Sequence, residues 1–258
     1  MFIIGERING MFKDVAKAIK SHDKKFIHKL AQIQINRGCD ALDINVGPAS
    51  SQPLQDMIWL INTIQEVTDT TLVIDSPSVE IIQKSLPEIK NPVIINSTTA
   101  EEYKLQVLFP LAKDYNAKII ALTIDKGGVP KDADSRLELA VKIISYAQEL
   151  EFPVTNIYID PVLLPVNVAQ DHCPEVLRVL REIKLISEPA PHTVVGLSNV
   201  SQGAKERSLI NRTFVVMALA CGLDSAILDP LDEELIKAIK TAEILLNKQI
   251  FCPDYLSI

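Results

Sequence analysis

Polar side chains that could bind a small molecule come directly after short apolar runs along this chain. Most are carboxylates or carboxamides. A carboxylate accepts two hydrogen bonds from a ring N–H and a neighbouring amino group, whereas an Asn can serve a lactam carbonyl and an adjacent ring nitrogen at once. The set therefore suits a flat, neutral heterocycle. In chain order it is Glu6, Arg7, Asn9, Asp43, Asn45, Asp75, Ser76, Asn96, Ser97, Thr123, Asp125, Asp160, Ser198, Asn199 and Asp229.

Other chemistries remain possible for these residues. Any single Asp could simply end a strand or cap the next helix, and three carboxylates could hold Mg²⁺. No Lys ends a run, which disfavours a Schiff-base aldolase, although Lys126 lies close enough to leave that reading open. His22 and His28 fall in a predicted helical region, and His172 and His192 in predicted loops. A metal-dependent hydrolase would need such ligands at the strand ends, so we expect no resident metal.

Eight apolar runs precede the polar residues and predict β-strands. Continuous Val, Ile and Leu, without polar alternation, is typical of parallel strands buried on both faces. The runs are Phe2–Gly5, Ala41–Val46, Thr71–Ile74, Val93–Ile95, Lys118–Ile124, Asn156–Ile159, Thr193–Leu197 and Ala226–Leu228.

Amphipathic patterns between the runs predict helices, because apolar residues recur at three- and four-residue spacing. The apolar positions are Trp59, Ile61 and Ile64 after Pro53; Leu137, Ala140, Val141, Ile144 and Ala147; and Leu235, Ile239, Ala242 and Leu246 after Asp232, a candidate N-cap. Eight strand–helix units in 258 residues predict an α/β fold, a single (β/α)8 or TIM barrel over residues 1–258. A doubly wound sheet is the rival, but Gly5–Gly10 does not match its Gly-x-Gly-x-x-Gly turn.

Composition excludes several classes of function. The formal net charge is −7, so no basic excess is present for binding nucleic acid. The longest apolar run, Phe214–Cys221, is far too short to span a bilayer, and the first residues lack a signal-peptide layout. The four cysteines are scattered, which argues against a disulfide framework or a zinc site. We therefore expect a cytoplasmic protein without nucleic-acid or membrane partners.

The strand-end motifs resemble those of the pterin-binding methyltransferases. They are Gly5-Glu6-Arg7-Ile8-Asn9, Asp43-Ile44-Asn45-Val46-Gly47, Ile74-Asp75-Ser76, Ile95-Asn96-Ser97, Tyr158-Ile159-Asp160-Pro161, Asn167–His172, Gly196–Gln202 and Leu209–Phe214. Over essentially its whole length the chain is similar to methyltetrahydrofolate:corrinoid/iron–sulfur protein methyltransferases, relatives of the folate domain of cobalamin-dependent methionine synthase. The resemblance implies a barrel of the pterin-binding type and a homodimer.

The resemblance also implies an activity. The N5-methyl group of 5-methyltetrahydrofolate would pass to cobalt(I) of a corrinoid that a corrinoid iron–sulfur protein carries, a step of the acetyl-CoA (Wood–Ljungdahl) pathway. The protein would need neither a nucleophile nor a metal of its own, because the partner supplies the corrinoid.

The same resemblance assigns roles to site residues. Asn199 would be catalytic, donating a hydrogen bond to N5. The residues implied to bind the pterin or its surroundings are Glu6, Asp75, Asn96, Asp160, Gly196, Ser198, Gln202 and Arg207. Arg207 could contact the anionic glutamate tail or steer the partner protein. A role only as a solvated loop cation is equally open. Asp43 could complete the hydrogen-bond network, although a structural role is favoured.

Two competing functions are considered. Dihydropteroate synthase shares the barrel, but that family carries Ser-Arg-Lys on strand seven, where this chain reads Leu197-Ser198-Asn199, so the groups that would stabilise departing pyrophosphate are missing. A non-catalytic corrinoid carrier would be expected to show Asp-x-His-x-x-Gly, which the sequence lacks. The sequence does not distinguish a non-catalytic pterin carrier from an enzyme. Measuring folate binding together with methyl transfer to cobalamin would distinguish them.

Overall fold

A closed barrel of eight parallel strands forms the centre of the computed structural model, which describes residues 1–48 and 50–256. Each strand pairs with the next along the chain, and β1 pairs with β8 to close the barrel. The strands are β1 Phe2–Asn9, β2 Ala41–Asn45, β3 Thr71–Asp75, β4 Val93–Thr99, β5 Lys118–Leu122, β6 Ile157–Asp160, β7 His192–Gly196 and β8 Ser225–Leu228. The predicted TIM barrel is confirmed.

Helices alternate with the strands and cover the outside of the barrel. They are α1 Lys13–Ser21, α2 Lys24–Asn36, α3 Pro53–Gln65, α4 Val79–Ser85, α5 Glu102–Asp114, α6 Ala133–Glu149, α7 His172–Glu182, α8 Arg207–Ala220 and α9 Glu233–Leu245. Among the described residues, no helix combines the length and apolarity that crossing a membrane requires.

The barrel interior is filled by one buried residue from each of seven strands. These are Ile4, Ala41, Val73, Ile94, Ile120, Tyr158 and Val194, which form a cluster separate from the larger core between barrel and helices. Because side chains alternate along a strand, the residue two positions later faces the interior again. Those residues are Glu6, Asp43, Asp75, Asn96, Leu122, Asp160 and Gly196. The next inward-facing layer is therefore mostly polar, and it lies at the carboxyl ends of the strands.

The strands β1 and β4 each end four residues beyond their predicted runs, and both contain an irregularity at the polar layer. The pairing of β1 with β2 shifts register between Gly5 and Ile8, and that of β4 with β5 shifts between Asn96 and Thr98. A bulge of this kind turns side chains away from the regular alternation. Beyond the shift, Ile8 and Asn9 pair with Ile44 and Asn45, so β1 continues to Asn9 although its apolar run stops at Gly5.

The structure confirms the predicted cap of α9 but differs from the predictions for α6, His172 and His192. Asp232 caps α9 as predicted, with its Oδ1 accepting from Leu235 N at 3.0 Å. Val141, however, is 44% exposed, because the buried face of α6 passes through Arg136 instead. His172 begins α7, and His192 begins β7, so neither lies in a loop.

A close approach of two backbones shapes the rim next to β1 and β2. A Cβ on Gly10 would lie 2.1 Å from Val46 O, so only glycine fits there. Gly47 faces Gly10 and has φ 74°, the left-handed region that glycine tolerates best. The loops that follow β1 and β2 are thereby held against each other.

Candidate functional site

Two carboxamide–carboxylate pairs hold the part of the polar layer that comes from β2, β3 and β4. Asn96 Nδ2 donates to Asp43 Oδ1 at 3.1 Å, and Asn45 Nδ2 donates to Asp75 Oδ2 at 2.7 Å. Asp43 and Asn96 are both buried, at 2% and 8% exposure. Each pair fixes the orientation of a side chain while leaving further oxygen lone pairs for a ligand.

Burial in this layer raises the pKa of both carboxyl groups. The pKa of Asp43 lies well above its ordinary value, first because of desolvation and then because of the negative charge of Asp75. The pKa of Asp75 is also raised by burial, although the hydrogen bond from Asn45 opposes the shift. Two neighbouring carboxyls in a dry site cannot both ionise readily, so burial and mutual repulsion favour the protonated form of this pair.

Asp160 at the end of β6 is a third buried carboxyl, and burial raises its pKa to about 7. The Val162 N–H donates to Asp160 Oδ1 at 2.7 Å, and the positive charge of Arg136 favours the ionised form, but desolvation outweighs both. Asp160 therefore titrates near neutrality.

Arg136 is a functional neighbour that the sequence analysis missed. It is fully buried; its Nε donates to Pro130 O at 2.9 Å, and its Nη2 lies 2.7 Å from His172 Nδ1. The available signal was its place one helical turn before Ala140 on the apolar face of a predicted helix. A charged residue at such a position needs a buried partner.

The turn after β7 carries Asn199 at the mouth of the barrel. Residues Leu197–Asn199 form a single 3-10 turn, and the Asn199 side chain is exposed. A Cβ on Gly196 would lie 2.9 Å from Asn199 Nδ2, so glycine at 196 gives the amide its space. The hydrogen bonds among the described residues include none from the Asn199 side chain, which leaves its amide available to a ligand.

The side chains of Glu6 and Arg207 form hydrogen bonds with this turn from opposite sides. Ser198 Oγ donates to Glu6 Oε1 at 2.6 Å, which ties the turn to β1. Arg207 donates from Nη2 to Ser198 O at 3.3 Å and from Nε to Ser201 Oγ at 3.2 Å. Arg207 is thus not a free loop cation, because it fastens the turn to the start of α8.

Glu6 borders an open cavity of about 460 Å³ between the ends of β1, β7 and β8. Burial raises the pKa of Glu6 to about 7, while the hydrogen bond from Ser198 lowers it and the charge of Asp229 raises it further. The lining residues are Glu6, Asn9, Met11, Phe12, Ser198, Arg207, Ser208, Asn211, Asp229, Leu231 and Asp232.

Not every predicted residue joins the buried network. Asp125 lies beyond β5 and is exposed, and its Oδ1 accepts from Gly127 N at 2.7 Å within its own turn. Gln202 is exposed, and its backbone N–H donates to Asn199 O at 3.1 Å. In the part of the chain that the structure describes, no group of three His, Cys, Asp or Glu residues is placed to hold a metal ion.

The arrangement suits a flat heterocycle with N–H donors at one edge. Asp75 and Asp160 are the last residues of β3 and β6, Asn96 lies within β4 at its register shift, and Asn199 lies beyond β7. A family model described as pterin binding enzyme matches residues 8–229. The chain belongs to the pterin binding enzyme family.

This chain is similar in sequence to two kinds of characterised protein. The Eubacterium limosum protein named methylcorrinoid:tetrahydrofolate methyltransferase is 33% identical over 99% of this chain and 94% of its own length. The methionine synthases of Mycobacterium leprae and Mycobacterium tuberculosis are 27% and 26% identical over 88% of this chain, which spans only 20% of theirs.

Solved structures with low sequence identity share the fold. A Yersinia pestis DHPS with a pterine–sulfa conjugate has a TM-score of 0.70 at 16% identity, covering 96% of this chain and 94% of that one. A dihydropteroate synthase from Coxiella burnetii with pteroic acid has the same TM-score and coverage at 15% identity.

The raised pKa of Asp160 predicts a pH-dependent stability. Between the unfolded pKa near 4 and the folded value of about 7, the native chain binds the proton more tightly, so this group's stabilising contribution is lost as the pH rises. Raising the pH from 5 to 8 should therefore lower the free energy of unfolding of the wild type by about 2–3 kcal/mol through this group. Asp160→Asn lacks the titrating group and should not show this loss. Urea denaturation at four pH values measures this. The exposed Asp125→Asn variant is the control, and an Asp160→Asn curve parallel to wild type would contradict the assignment.

Proposed function

We propose that this protein transfers a methyl group between N5 of 5-methyltetrahydrofolate and the cobalt of a corrinoid carried by another protein. The observation that carries the proposal is the polar layer itself, in which buried carboxyls and carboxamides from several strands face one mouth. The name of the Eubacterium limosum relative, which aligns with 99% of the chain, supports both the methyl transfer and the two substrates.

In this proposal the pterin edge lies against Asp75, Asn96 and Asp160. An ionised carboxylate accepts from a ring N–H and the exocyclic amino group, and the Asn amide serves the carbonyl and a ring nitrogen. Asp43 and Asn45 hold Asn96 and Asp75 through the two hydrogen bonds described above. They act on the orientation of the groups that touch the ring.

Asn199 acts at the other end of the heterocycle. When the methyl group leaves, N5 must take up negative charge or a proton, and an unassisted tertiary amine is a poor leaving group. An amide held at N5 donates a hydrogen bond that strengthens as the methyl departs, without itself giving up a proton. The corrinoid supplies cobalt(I) as the attacking group, so this chain needs no nucleophile of its own.

The reverse direction is a second candidate, because the relative's name places methylcorrinoid before tetrahydrofolate. The same site serves both directions, since stabilisation of one transition state accelerates both. Two spectroscopic assays decide the direction: 5-methyltetrahydrofolate with cob(I)alamin, and methylcobalamin with tetrahydrofolate. Folate binding by titration calorimetry without transfer in either assay would leave a pterin carrier and defeat the enzyme proposal.

The finer assignment names the partner and the setting. We propose that the acceptor is a corrinoid iron–sulfur protein, as the motif resemblance implies. The reaction would then be a step of the acetyl-CoA pathway, and the protein would be cytoplasmic. Transfer to the purified iron–sulfur protein should be at least tenfold more efficient, by kcat/KM, than transfer to free cobalamin. Equal efficiency would remove this partner from the proposal.

A second copy of the chain is the other proposed partner. Three apolar side chains of α8, Leu209, Val216 and Met217, are 56%, 37% and 48% exposed. Such a face supports a homodimer, because large apolar side chains are usually buried against something. Sedimentation velocity across a concentration series measures the association, and a monomer at every concentration would contradict it.

Removing either pterin-binding carboxylate should weaken folate binding. Asp75→Ala and Asp160→Ala each remove charged acceptors, and a charge-assisted hydrogen bond is worth about 1.5–3 kcal/mol, or roughly ten- to a hundredfold in affinity. Calorimetric titration with 5-methyltetrahydrofolate gives the dissociation constants. Asp125→Ala is the matched control, because this strand-end Asp is exposed and bonds only within its own turn. Wild-type affinity in both folded variants would place the site elsewhere.

Replacing Asn199 should slow transfer more than it weakens folate binding. One preorganised donor at a developing charge is typically worth about 2.7–4 kcal/mol, so Asn199→Ala should lower the single-turnover rate by about a hundred- to a thousandfold. The folate dissociation constant should change less, since Asp75, Asn96 and Asp160 remain. The exposed Asn62→Ala on α3 controls for loss of an amide. An unchanged rate at saturating folate would disprove the role and make Ser198 or Gln202 the next candidate.

A further inference from the structure

Glu6 carries a partly buried carboxyl that the proposed transfer does not use directly. It stands on β1, whereas the groups proposed to hold the pterin edge stand on β3, β4 and β6. Its hydrogen-bond partner among the described residues is Ser198, 192 positions later in the chain. Removing a carboxyl from water is costly, so the position calls for a physical reason.

The contact with Ser198 is short and belongs to a well-defined turn. Ser198 Oγ lies 2.6 Å from Glu6 Oε1, at the short end of the range for a hydroxyl donating to a carboxyl oxygen. Ser198 is the middle residue of the 3-10 turn Leu197–Asn199, and the next residue is Asn199. A change in the position of Ser198 is therefore transmitted through one peptide unit to the Asn199 side chain.

The turn Leu197–Asn199 is held by α8 on one side and by the core beneath it, so Glu6 supplies the contact on the remaining side. Arg207 holds the Ser198 carbonyl and the Ser201 hydroxyl from the side of α8. Leu197 and Val200 anchor the turn in the core, at 0% and 1% exposure. Glu6 supplies the contact on the side of the cavity between β1 and β8, where the turn would otherwise face open space.

The surroundings of Glu6 show that its charge is not essential to this contact. Asp229 disfavours its ionised form, whereas Arg7 and Arg207 favour it, and burial raises its pKa to about 7. Asp43 lies near enough for the two carboxyls to affect each other. Near neutrality the group is therefore present in both forms, and either form keeps an oxygen that accepts from Ser198.

We propose that Glu6 is a positioning residue for the methyl transfer: by accepting the hydrogen bond of Ser198, it holds the Leu197–Asn199 turn where the Asn199 amide faces the reacting nitrogen. The role rests on the proposed function of Asn199. It predicts that loss of the acceptor affects transfer while leaving the pterin-binding side chains on the opposite strands in place.

Variants at both ends of the bond test this role. Glu6→Ala removes the acceptor and Ser198→Ala removes the donor, so each should lower the single-turnover rate at saturating folate by about ten- to a hundredfold, the range expected for a small misplacement of a catalytic group. Folate dissociation constants should stay within about threefold of wild type. Glu6→Gln keeps an acceptor oxygen in the same place and should recover most of the rate lost in Glu6→Ala.

A double variant distinguishes positioning from a general structural effect. Glu6→Gln should recover the rate only when Ser198 keeps its hydroxyl, so Glu6→Gln combined with Ser198→Ala should be as slow as Ser198→Ala alone. The exposed Glu149→Ala on α6 is the control and should match wild type in rate and affinity. Recovery that does not depend on Ser198, or equal losses in rate and affinity, would overturn the proposal. If Glu6→Ala does not fold, Ser198→Ala and its combination with Glu6→Gln still decide the question.

A measurement without turnover separates this proposal from the proposed function. The side-chain amide resonances of Asn199, assigned by their loss in Asn199→Ala, should shift in Ser198→Ala and Glu6→Ala and remain near wild type in Glu6→Gln. If the wild-type protein transfers no methyl group but the resonances follow this pattern, the function fails and the positioning contact stands. Unshifted resonances in both alanine variants would reject the contact, whatever the activity of the wild type.

Discussion

The desolvation of carboxyl groups at one end of a closed barrel is the constraint on which the rest of the structure depends. Glu6, Asp43, Asp75 and Asp160 follow directly on an apolar interior layer, and burial raises the pKa of each. Such groups are tolerated only where other polar atoms meet them. The side chains of Asn45, Asn96 and Ser198 and the backbone N–H of Val162 do so.

This constraint links the site to the stability of the whole chain. Burial favours the protonated form of each of these carboxyls, so the empty site carries less negative charge than its acidic residues would carry in water. A ligand with N–H donors favours the ionised forms, because it supplies the hydrogen bonds that water has been prevented from giving. The same groups that destabilise the empty barrel as the pH rises are thus the ones that a pterin would satisfy.

The sequence predicts the strands better than it predicts the network among their ends. Each of the eight apolar runs overlaps a strand, because continuous Val, Ile and Leu residues rarely form anything but a parallel strand buried on both faces. The extensions of β1 to Asn9 and of β4 to Thr99 were not predicted, since a register shift depends on the neighbouring strand. The polar layer as a set was predicted, but its pairings, Asn45 with Asp75 and Asn96 with Asp43, arise only when the barrel closes.

The contacts of two arginines were not predicted, because they depend on charged and polar groups that are distant in the sequence. Arg136 lies on the apolar face of an amphipathic helix by its spacing, but the sequence does not show which buried groups it meets there. Its burial beside His172 and its effect on Asp160 come from the packing of α6 against α7. Arg207, whose role the sequence left open, contacts the turn after β7. The roles given to Asn199, Asp75, Asn96 and Asp160 stay predictions until the variants are measured.

The closure of β1 on β8 has a consequence for the order in which the chain acquires its site during synthesis. Ser198, the partner of Glu6, leaves the ribosome 192 residues after it, and the β1–β8 pairing requires Ser225–Leu228, which emerges later still. Until that last strand emerges, β1 has an unpaired edge and the turn that carries Asn199 lacks its contact with Glu6. Contacts of such large sequence separation form slowly, since much chain entropy must be lost first. A nascent chain therefore has the polar residues of its middle strands long before it has a complete site, and only the closed barrel brings them together with Asn199.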